Sequence, residues 1–392
     1  MPETSPASPG MERQLQIYLA GMQGQKPPLP VAFEELERLA AERMKPEAFA
    51  YVAGGAGGEE TMRANRVAFR RWRLVPRMLR DVARRDLSVE LLGRRLPAPV
   101  LLAPVGVLGI VHEEGELAVA RAARDLGLPF LLSTVASKPI EAVAGVMGEA
   151  PRWFQLYPGR HPEVTASLLR RAEAAGYEAV VVTLDTRLLA WRERDLQHAY
   201  LPFLHGDGLA NYFTDPVFRA ALEAPPEEDP VAAVRLFAGI FSDPALTWGE
   251  LARLREVTRL PVLVKGLLHP DDARQALDHG VDGIIVSNHG GRQVDGAVAA
   301  LDALPPVVEA VRGRVPVLFD SGIRRGADVV KALALGAQAV LVGRPYVYGL
   351  ALGGADGVRG VLLNLLADLD LTLALCGCTS VTEPGPDILV EG

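Results

Sequence analysis

Short apolar runs recur from residue 98 onward, and each is followed by a stretch rich in Ala and Leu. This alternation is typical of parallel strands joined by helices. The runs predict eight strands, at residues 100–103, 130–133, 153–157, 179–183, 262–265, 283–287, 317–320 and 339–342. A doubly wound open sheet repeats the same unit, but eight units favour a single (β/α)8 TIM barrel of the α/β class.

Three further segments surround the predicted barrel. A helical pattern starts at Glu34, breaks near Pro46 and ends before the glycines of residues 54–58. A connection of about 195–244, rich in Pro and aromatic residues, follows strand four, and its length predicts a lid or an oligomer contact. We therefore expect an N-terminal tail at 1–30, disordered over its first ten residues, and one barrel domain at 31–392 that ends in closing helices.

Composition narrows the possible partners. The formal net charge of −7 argues against a general binder of nucleic acid or of anionic membranes, which needs a basic surface. No apolar run approaches the roughly 20 residues of a membrane span, and no secretory signal opens the chain. The two cysteines, Cys376 and Cys378, are poorly spaced for a local disulfide or a complete metal site. These features predict a soluble, cytoplasmic protein without a metal centre.

Polar side chains stand where most of the predicted strands end, and barrel enzymes build their sites at that end. These strand-end residues are Ser133, Gln155, Thr183, Lys265, Ser287 and Asp320. A single histidine such as His289 is more often a hydrogen-bonded core residue than a catalytic one. Polar residues at nearly every strand end favour a catalytic role for His289 instead, because random loops would not place such groups there so regularly.

The residue types at these ends suggest proton transfer next to a bound anion. His289 can accept a proton near neutral pH, and Asp185 can hold it and stabilise its charged form, although a helix cap is the simpler role for Asp185. Arg192 and Arg292 are candidate carboxylate clamps or solvated charges. Lys265 can serve as a Schiff-base lysine, a structural ion pair or a cation beside an electron-accepting ring.

The loops after strands seven and eight predict a phosphate site. Gly322 and Arg324 follow strand seven, and Gly343 and Arg344 follow strand eight, where barrels commonly bind phosphate. A phosphate at this position indicates a phosphorylated substrate or a cofactor such as flavin mononucleotide, FMN.

In these strand-end and loop residues, the chain resembles the FMN-dependent enzymes that oxidise 2-hydroxy acids. The likeness extends from about residue 30 to 380. Its most specific block is residues 286–293, Val-Ser-Asn-His-Gly-Gly-Arg-Gln. Residues 154–157, 263–266 and 324–328 support it in the expected order.

The resemblance implies a role for each candidate residue. His289 is then the catalytic base, paired with Asp185, and Tyr157 lies by the substrate hydroxyl. Tyr51, Arg192 and Arg292 bind the substrate carboxylate. The implied FMN contacts are Ala103, Pro104, Val105, Ser133, Gln155, Thr183, Lys265, Ser287, Asp320, Ser321, Gly322, Arg324, Gly343 and Arg344.

Within that family the chain is most similar to the lactate 2-monooxygenases, through its long lid, residues 17–21, 53–57 and 200–206, and Gly106. The resemblance implies conversion of L-lactate and O2 to acetate, CO2 and water by a homotetramer or larger assembly. Arg187, where those enzymes have Trp, and residues 158–160 depart from the pattern and affect the expected pocket size.

Three other activities stay open. An L-lactate oxidase would release pyruvate and hydrogen peroxide, and a quinone-linked dehydrogenase would not use oxygen. A non-redox barrel isomerase or lyase is an alternative of a different class, and a phosphate-ligand binding module is the simplest. The sequence does not distinguish hydride transfer from carbanion transfer.

Overall fold

The computed structural model describes residues 8–392. Eight parallel strands form a closed barrel in which each strand pairs with the next along the chain, and the eighth pairs with the first. We number them β1 to β8: Val100–Leu102, Phe130–Ser133, Arg152–Leu156, Val180–Thr183, Val262–Leu267, Gly283–Val286, Val317–Phe319 and Ala339–Val342. Closure between β8 and β1 confirms the (β/α)8 barrel and excludes the open sheet.

The strands are apolar because both of their faces are covered. Side chains fill the inside of the barrel and helices pack on the outside, so nearly every strand residue is buried. The predicted bounds agree with the observed ones to within two residues. Tyr157, Ser287 and Asp320 lie just past strand ends, where their side chains face the barrel mouth rather than the core.

Eight helices follow the strands around the barrel. They are Glu116–Leu126, Ile140–Met147, Pro162–Ala174, Trp248–Val257, Pro270–Asp278, Ala300–Val311, Gly326–Ala334 and Arg344–Leu375. The last is kinked at Gly353 and Gly354, where Gly354 has a φ of 54°, and it packs against the N-terminal helices. It supplies the closing helices that the apolar C-terminal pattern predicts.

The N-terminal region is more structured than the predicted tail. Residues 1–7 of the expected disordered stretch lie outside the described residues, but a helix spans Pro9–Met22 and corrects the prediction for the rest. Ser8 caps it, and the Gly10 N–H donates to the Asp370 carboxylate at 3.0 Å. This anchor lies 360 residues away along the chain, so local composition carries no signal for it. Three further helices lie between the Pro9–Met22 helix and β1: Phe33–Arg43, Pro46–Ala53 and Glu60–Arg71.

The insertion after β4 is ordered. Its helices are Glu193–Gln197, Ala210–Phe213, Pro216–Ala220 and Pro230–Ile240, with a 3-10 turn at Pro202–His205. Phe203, Tyr212, Phe237 and Phe241 pack ring against ring, which explains why the segment holds a structure despite its prolines.

Two small sheets are absent from the predicted elements. Trp72–Leu74 pairs antiparallel with Leu389–Glu391, and Val89–Leu91 pairs with Arg94–Leu96. Within residues 8–392, no helix combines the length and the apolar character needed to cross a bilayer.

Candidate active site

A cavity opens at the carboxyl ends of the barrel strands. The space in it that is free of protein atoms, including its opening to solvent, is about 1110 Å³. The predicted site residues that line it are Tyr51, Ala103, Pro104, Val105, Tyr157, Arg192, Lys265, His289, Arg292, Asp320, Ser321, Gly322, Arg324, Gly343 and Arg344. The structure therefore brings together residues that are almost 300 positions apart in the chain.

His289 and Asp185 form a hydrogen-bonded pair on one wall. The distance from His289 Nδ1 to Asp185 Oδ1 is 2.9 Å, and the Thr186 hydroxyl lies 3.1 Å from the same carboxylate oxygen and 3.3 Å from Nδ1. Since an ionised carboxylate only accepts hydrogen bonds, Nδ1 carries the proton and Nε2 is left as the free base. Gly266 makes room for this pair: its φ is 103°, and a Cβ there would lie 2.7 Å from the Asp185 side chain.

Burial and charge set the protonation of this pair. Burial lowers the pKa of His289, and Lys265 lowers it further, although Asp185 opposes the shift. Burial alone would raise the pKa of Asp185, but the charges of His289 and Lys265 bring it below its ordinary value. A neutral imidazole beside a carboxylate is the state that accepts a substrate proton.

The turn that carries His289 is held in a strained form. His289, Gly290 and Gly291 have φ values of 57°, 66° and 77°, and only glycine adopts such values freely. Asn288 and Asn65 exchange amide hydrogen bonds of 2.9 and 2.7 Å, which tie the turn to helix Glu60–Arg71. Strain of this kind persists only where the surroundings over-determine it, which is common at active sites.

Lys265 is buried next to Asp320 and Ser287. Its Nζ donates to Ser287 Oγ at 2.9 Å and lies 3.2 Å from Asp320 Oδ2. Burial acts to lower the pKa of Lys265, but Asp320 and Asp185 outweigh it, so the pKa lies above its ordinary value. Lys265 is thus a fixed cation at the cavity wall and not the neutral amine that Schiff-base chemistry needs.

The side chains at the ends of β2, β3 and β4 include buried hydrogen-bond donors that the described residues leave unpaired. Ser133 Oγ donates to Gln155 Oε1 at 3.0 Å, but the buried Gln155 Nε2 and Thr183 Oγ1 have no hydrogen-bond partner within residues 8–392. Orphaned buried donors of this kind indicate a polar ligand, because leaving them unpaired costs about 1–3 kcal/mol each. Together with Lys265 they fit the polar edge of a flavin ring.

The phosphate end of the site is crowded with guanidinium groups. The buried Nε of Arg324 has no hydrogen-bond partner in the described part of the chain, and its guanidinium stacks 4.3 Å from the Phe33 ring centre. Arg344 donates to the carbonyls of Val52, Gly54 and Gly290. Burial lowers the pKa of Arg324 to about 10, with Arg344 contributing to the shift. Buried cations in excess favour a bound anion, and these residues fit the phosphate of FMN.

Arg292, Arg192 and Tyr51 form a second cationic group. Arg292 Nη1 donates to the carbonyls of Tyr51 and Gly54 at 2.6 and 2.7 Å, and its guanidinium lies 5.1 Å from the Tyr51 ring centre. Burial lowers the pKa of Arg292 to about 9, and Arg192 lowers it further. Arg192 is positioned by Gln293 Oε1 and the Arg292 carbonyl. A substrate carboxylate would relieve the crowding of these two positive charges.

The side of the cavity that the insertion after β4 covers is lined mostly by apolar side chains. Leu189, Phe203 and Phe241 line the cavity beside Tyr157, which stacks edge-on against Phe241 at 5.3 Å. Burial, and then Asp185, raises the pKa of Tyr157, so its hydroxyl stays protonated and can donate a hydrogen bond. Phe203 and Phe241 place the insertion after β4 directly over the site, as expected for a lid.

Some residues lie elsewhere than the sequence suggests. Arg187 is exposed and lines a separate cavity on the far side of Asp185, so its difference from Trp does not enlarge the substrate pocket. Pro158 lines that second cavity as well, and Arg160 N–H bonds to Ile240 in the insertion. Thr186 and Gln293 were missed as site residues, although Gln293 stands in the most specific sequence block and Thr186 directly follows Asp185.

Comparison with known proteins gives a consistent picture. A family profile described as FMN-dependent dehydrogenase matches residues 40–391. An L-lactate oxidase of Lysinibacillus sphaericus is 48% identical over 90% of this chain and 91% of its own length. Human 2-hydroxyacid oxidase 1 is 42% identical over 90% of this chain and 95% of its own. The crystal structure of a mandelate oxidase with (S)-4-hydroxymandelic acid aligns with a TM-score of 0.82 at 41% identity, over 92% and 98% of the two chains.

Proposed function

The chain belongs to the FMN-dependent dehydrogenase family, and on that premise we propose that it oxidises L-lactate with oxygen as the final electron acceptor. It is an FMN-dependent oxidoreductase of 2-hydroxy acids. The observation that carries the proposal is the His289–Asp185 pair, which faces a cavity lined by the two buried guanidinium groups of Arg192 and Arg292. Asp195, 3.9 Å from Arg192, is the carboxylate that offsets part of their charge. The relative named L-lactate oxidase supports lactate as the acid.

The residues divide the work around the substrate. Arg292, Arg192 and Tyr51 bind the carboxylate, and the Tyr157 hydroxyl donates to the substrate oxygen. His289 Nε2 then takes the proton released by the substrate, and Asp185 Oδ1 stabilises the imidazolium through Nδ1–H. FMN, held by the residues at the strand ends and by Arg324 and Arg344, would supply the two-electron acceptor for this oxidation. Lys265 would place its positive charge next to the cofactor.

We propose that the pyruvate formed stays in the closed cavity and is decarboxylated by peroxide to acetate, CO2 and water. The ordered insertion after β4 supports this outcome, because Phe203 and Phe241 cover the substrate side of the cavity and can delay product release. The balance is one lactate and one O2 to one acetate, one CO2 and one water.

The second candidate is an oxidase that releases pyruvate and hydrogen peroxide. It is favoured by the oxidase names of the relatives of this chain. Both outcomes share the same reduction step and differ only in the order of product release and peroxide chemistry.

Product analysis distinguishes the candidates. The holoenzyme is turned over with L-lactate under air, once with catalase and once without it, and acetate, pyruvate and peroxide are quantified. Acetate and CO2 formed in equal amounts in the presence of catalase support the monooxygenase, because catalase removes the free peroxide that would otherwise decarboxylate released pyruvate in solution. Pyruvate as the main product with catalase, together with peroxide without it, contradicts the monooxygenase. Turnover with a quinone or dye and little oxygen uptake would indicate a dehydrogenase. Anaerobic bleaching of the yellow protein by L-lactate and not by D-lactate tests substrate class and handedness.

A further inference from the structure

A buried carboxylate next to the cavity takes no part in the chemistry described above. Glu116 is the first residue of helix Glu116–Leu126 and is fully buried. Its Oε1 accepts the N–H groups of Ser137 at 2.9 Å and Leu108 at 3.2 Å. Leu108 belongs to the loop after β1 and Ser137 to the loop after β2, so one carboxylate oxygen joins the two loops.

The loop after β1 forms one wall of the cavity. Ala103, Pro104, Val105 and Gly106 all line it, and the family resemblance assigns this stretch to the flavin ring. Its first carbonyl, Ala103 O, accepts from the buried Tyr346 hydroxyl at 2.8 Å. The loop is thus fastened by Tyr346 at one end and by Glu116 at the other.

The loop is strained between these two fastenings. Val107 has a φ of 53°, which a β-branched residue rarely adopts, and its N–H donates to Val135 O at 2.8 Å. A residue in this conformation costs of order 1–3 kcal/mol and persists only where neighbours hold it. Loss of a fastening would therefore let the loop relax.

Gly106 determines the direction in which the loop can move. A Cβ on Gly106 would lie 2.6 Å from Val135 O and 2.7 Å from Val135 Cγ2, so the two loops are already in contact. The loop after β1 cannot approach the loop after β2 any further. The open space is on the cavity side, and relaxation would move Val105 and Gly106 into it.

We propose that Glu116 is a positioning residue that holds the loop of residues 104–107 out of the cavity in which FMN would bind, and so keeps open space in which the reduced enzyme reacts with oxygen. The proposal rests on the proposed oxygen-linked function. Glu116 touches neither substrate nor cofactor and acts only through the two loops.

The surroundings of Glu116 make its hold on the loops depend on pH. Its Oε2 has no hydrogen-bond partner among the described residues, and Lys138 and Tyr346 are the ionisable groups that face it. Burial raises the pKa of Glu116 to about 7. The carboxylate is a stronger acceptor than the protonated acid, so the loop is held more firmly above that pH than below it.

The test compares the wild-type holoenzyme with Glu116→Gln and with a matched control, Glu113→Gln, whose side chain is exposed in the same loop region. The flavin is reduced with dithionite and mixed with oxygen between about pH 6 and pH 8.5. We expect Glu116→Gln to react about fivefold more slowly with oxygen at the upper end and to lose the pH dependence. Sulfite, which adds to oxidised flavin and needs space in the same cavity, should bind about fivefold more weakly, and Glu113→Gln should match the wild type.

Unchanged oxygen and sulfite reactions in Glu116→Gln would overturn the proposal. An equal loss of lactate-driven reduction and of oxygen reaction, with release of FMN, would also overturn it, because that pattern indicates general loosening. If Glu116→Gln does not fold, Glu116→Asp keeps the charge with a shorter reach and should show the same direction. Dithionite replaces lactate in the oxygen assay, and sulfite binding needs neither lactate nor oxygen, so a failure of this proposal can be distinguished from a failure of the proposed function.

Discussion

Two walls of the cavity differ in where their charged side chains lie. They are built from opposite sides of the same barrel. On the wall formed by β4 to β7, the charged groups face the cavity and are paired, as in His289 with Asp185 and Lys265 with Asp320. On the wall formed by β1 and β2, the loop exposes backbone and small apolar side chains to the cavity, and the buried carboxyl group of Glu116 lies behind it. The first wall is suited to moving protons, and the second to controlling space.

This difference implies that the two halves of the reaction can be separated by mutation. Changes on the charged wall should affect oxidation of the acid and leave the oxygen reaction of reduced flavin intact. Changes on the apolar wall should do the opposite. The predictions below test this separation, from the largest expected effect to the smallest.

Removing the base should have the largest effect. His289→Ala should lower the rate of anaerobic flavin reduction by L-lactate by about 10²–10⁴-fold, the usual contribution of general base catalysis. FMN content should persist, since the phosphate and ring contacts assigned to the cofactor do not include this side chain. Stopped-flow absorbance of the flavin measures the rate, and dithionite-reduced flavin should react with oxygen as in the wild type. Unchanged reduction by lactate would refute the assigned role of His289.

Weakening the carboxylate clamp should have the next largest effect. Arg292→Lys keeps the charge but loses the planar fork, so kcat/KM for L-lactate should fall by about 10²-fold, the equivalent of two to three kcal/mol. Arg194→Lys is the control, because the exposed Arg194 pairs with Glu59 outside the cavity in the wild type. Equal losses in both variants would contradict a specific role for Arg292. Oxygen reactivity should be unaffected.

The charged wall also predicts a pH dependence. The pKa of His289 is lowered by burial and by Lys265, so the neutral base is present throughout the range above its ordinary value of 6.5. The rate of flavin reduction should stay level from neutrality up to the range in which Arg292, whose pKa burial lowers to about 9, loses its proton. On the acid side it should fall only as the pH drops below the ordinary value of His289. A fall in rate that begins above pH 7 would contradict the lowered pKa.

The fold and much of the charged wall follow from the sequence because each has a local signal. Strand periodicity and length indicate the barrel, and the barrel in turn predicts that residues just past the strand ends, such as His289 and Asp320, share one site. Thr186 and Glu116 could not be recognised in this way. Their roles arise from contacts made when separate loops pack together, and a single glutamate at a helix start is normally a surface residue. The helix at Pro9–Met22 was missed for the same reason, since its anchor, Asp370, comes from the far end of the chain.

On the apolar wall, Gly106→Ala should slow the oxygen reaction of reduced flavin by about tenfold and leave reduction by lactate within about twofold. The added methyl group would lie 2.6 Å from Val135 O, so the loop must move, and the open direction is toward the cavity. Gly145→Ala is a suitable control, because a Cβ there meets no atom within 4 Å. An equal slowing of both half-reactions would show that the two walls are not independent.

The smallest expected effect concerns the free energy of unfolding, whose pH dependence should reflect the Glu116 carboxyl group behind the apolar wall. Burial raises the pKa of Glu116 from 4.5 to about 7, so the folded state retains a proton that the unfolded state releases between those values. The contribution of Glu116 to stability is fully present below about pH 4.5 and is lost as the pH rises through about 7, and a shift of this size corresponds to about 3 kcal/mol. Glu116→Gln removes that loss, so its free energy of unfolding relative to the wild type should increase with pH between about 5 and 8. Urea denaturation of the two holoenzymes across this range measures the difference, with Glu113→Gln expected to stay parallel to the wild type. Parallel curves for Glu116→Gln would mean that the carboxylate is already ionised at low pH, and the apolar wall would then hold a permanent charge instead of one that titrates near neutrality.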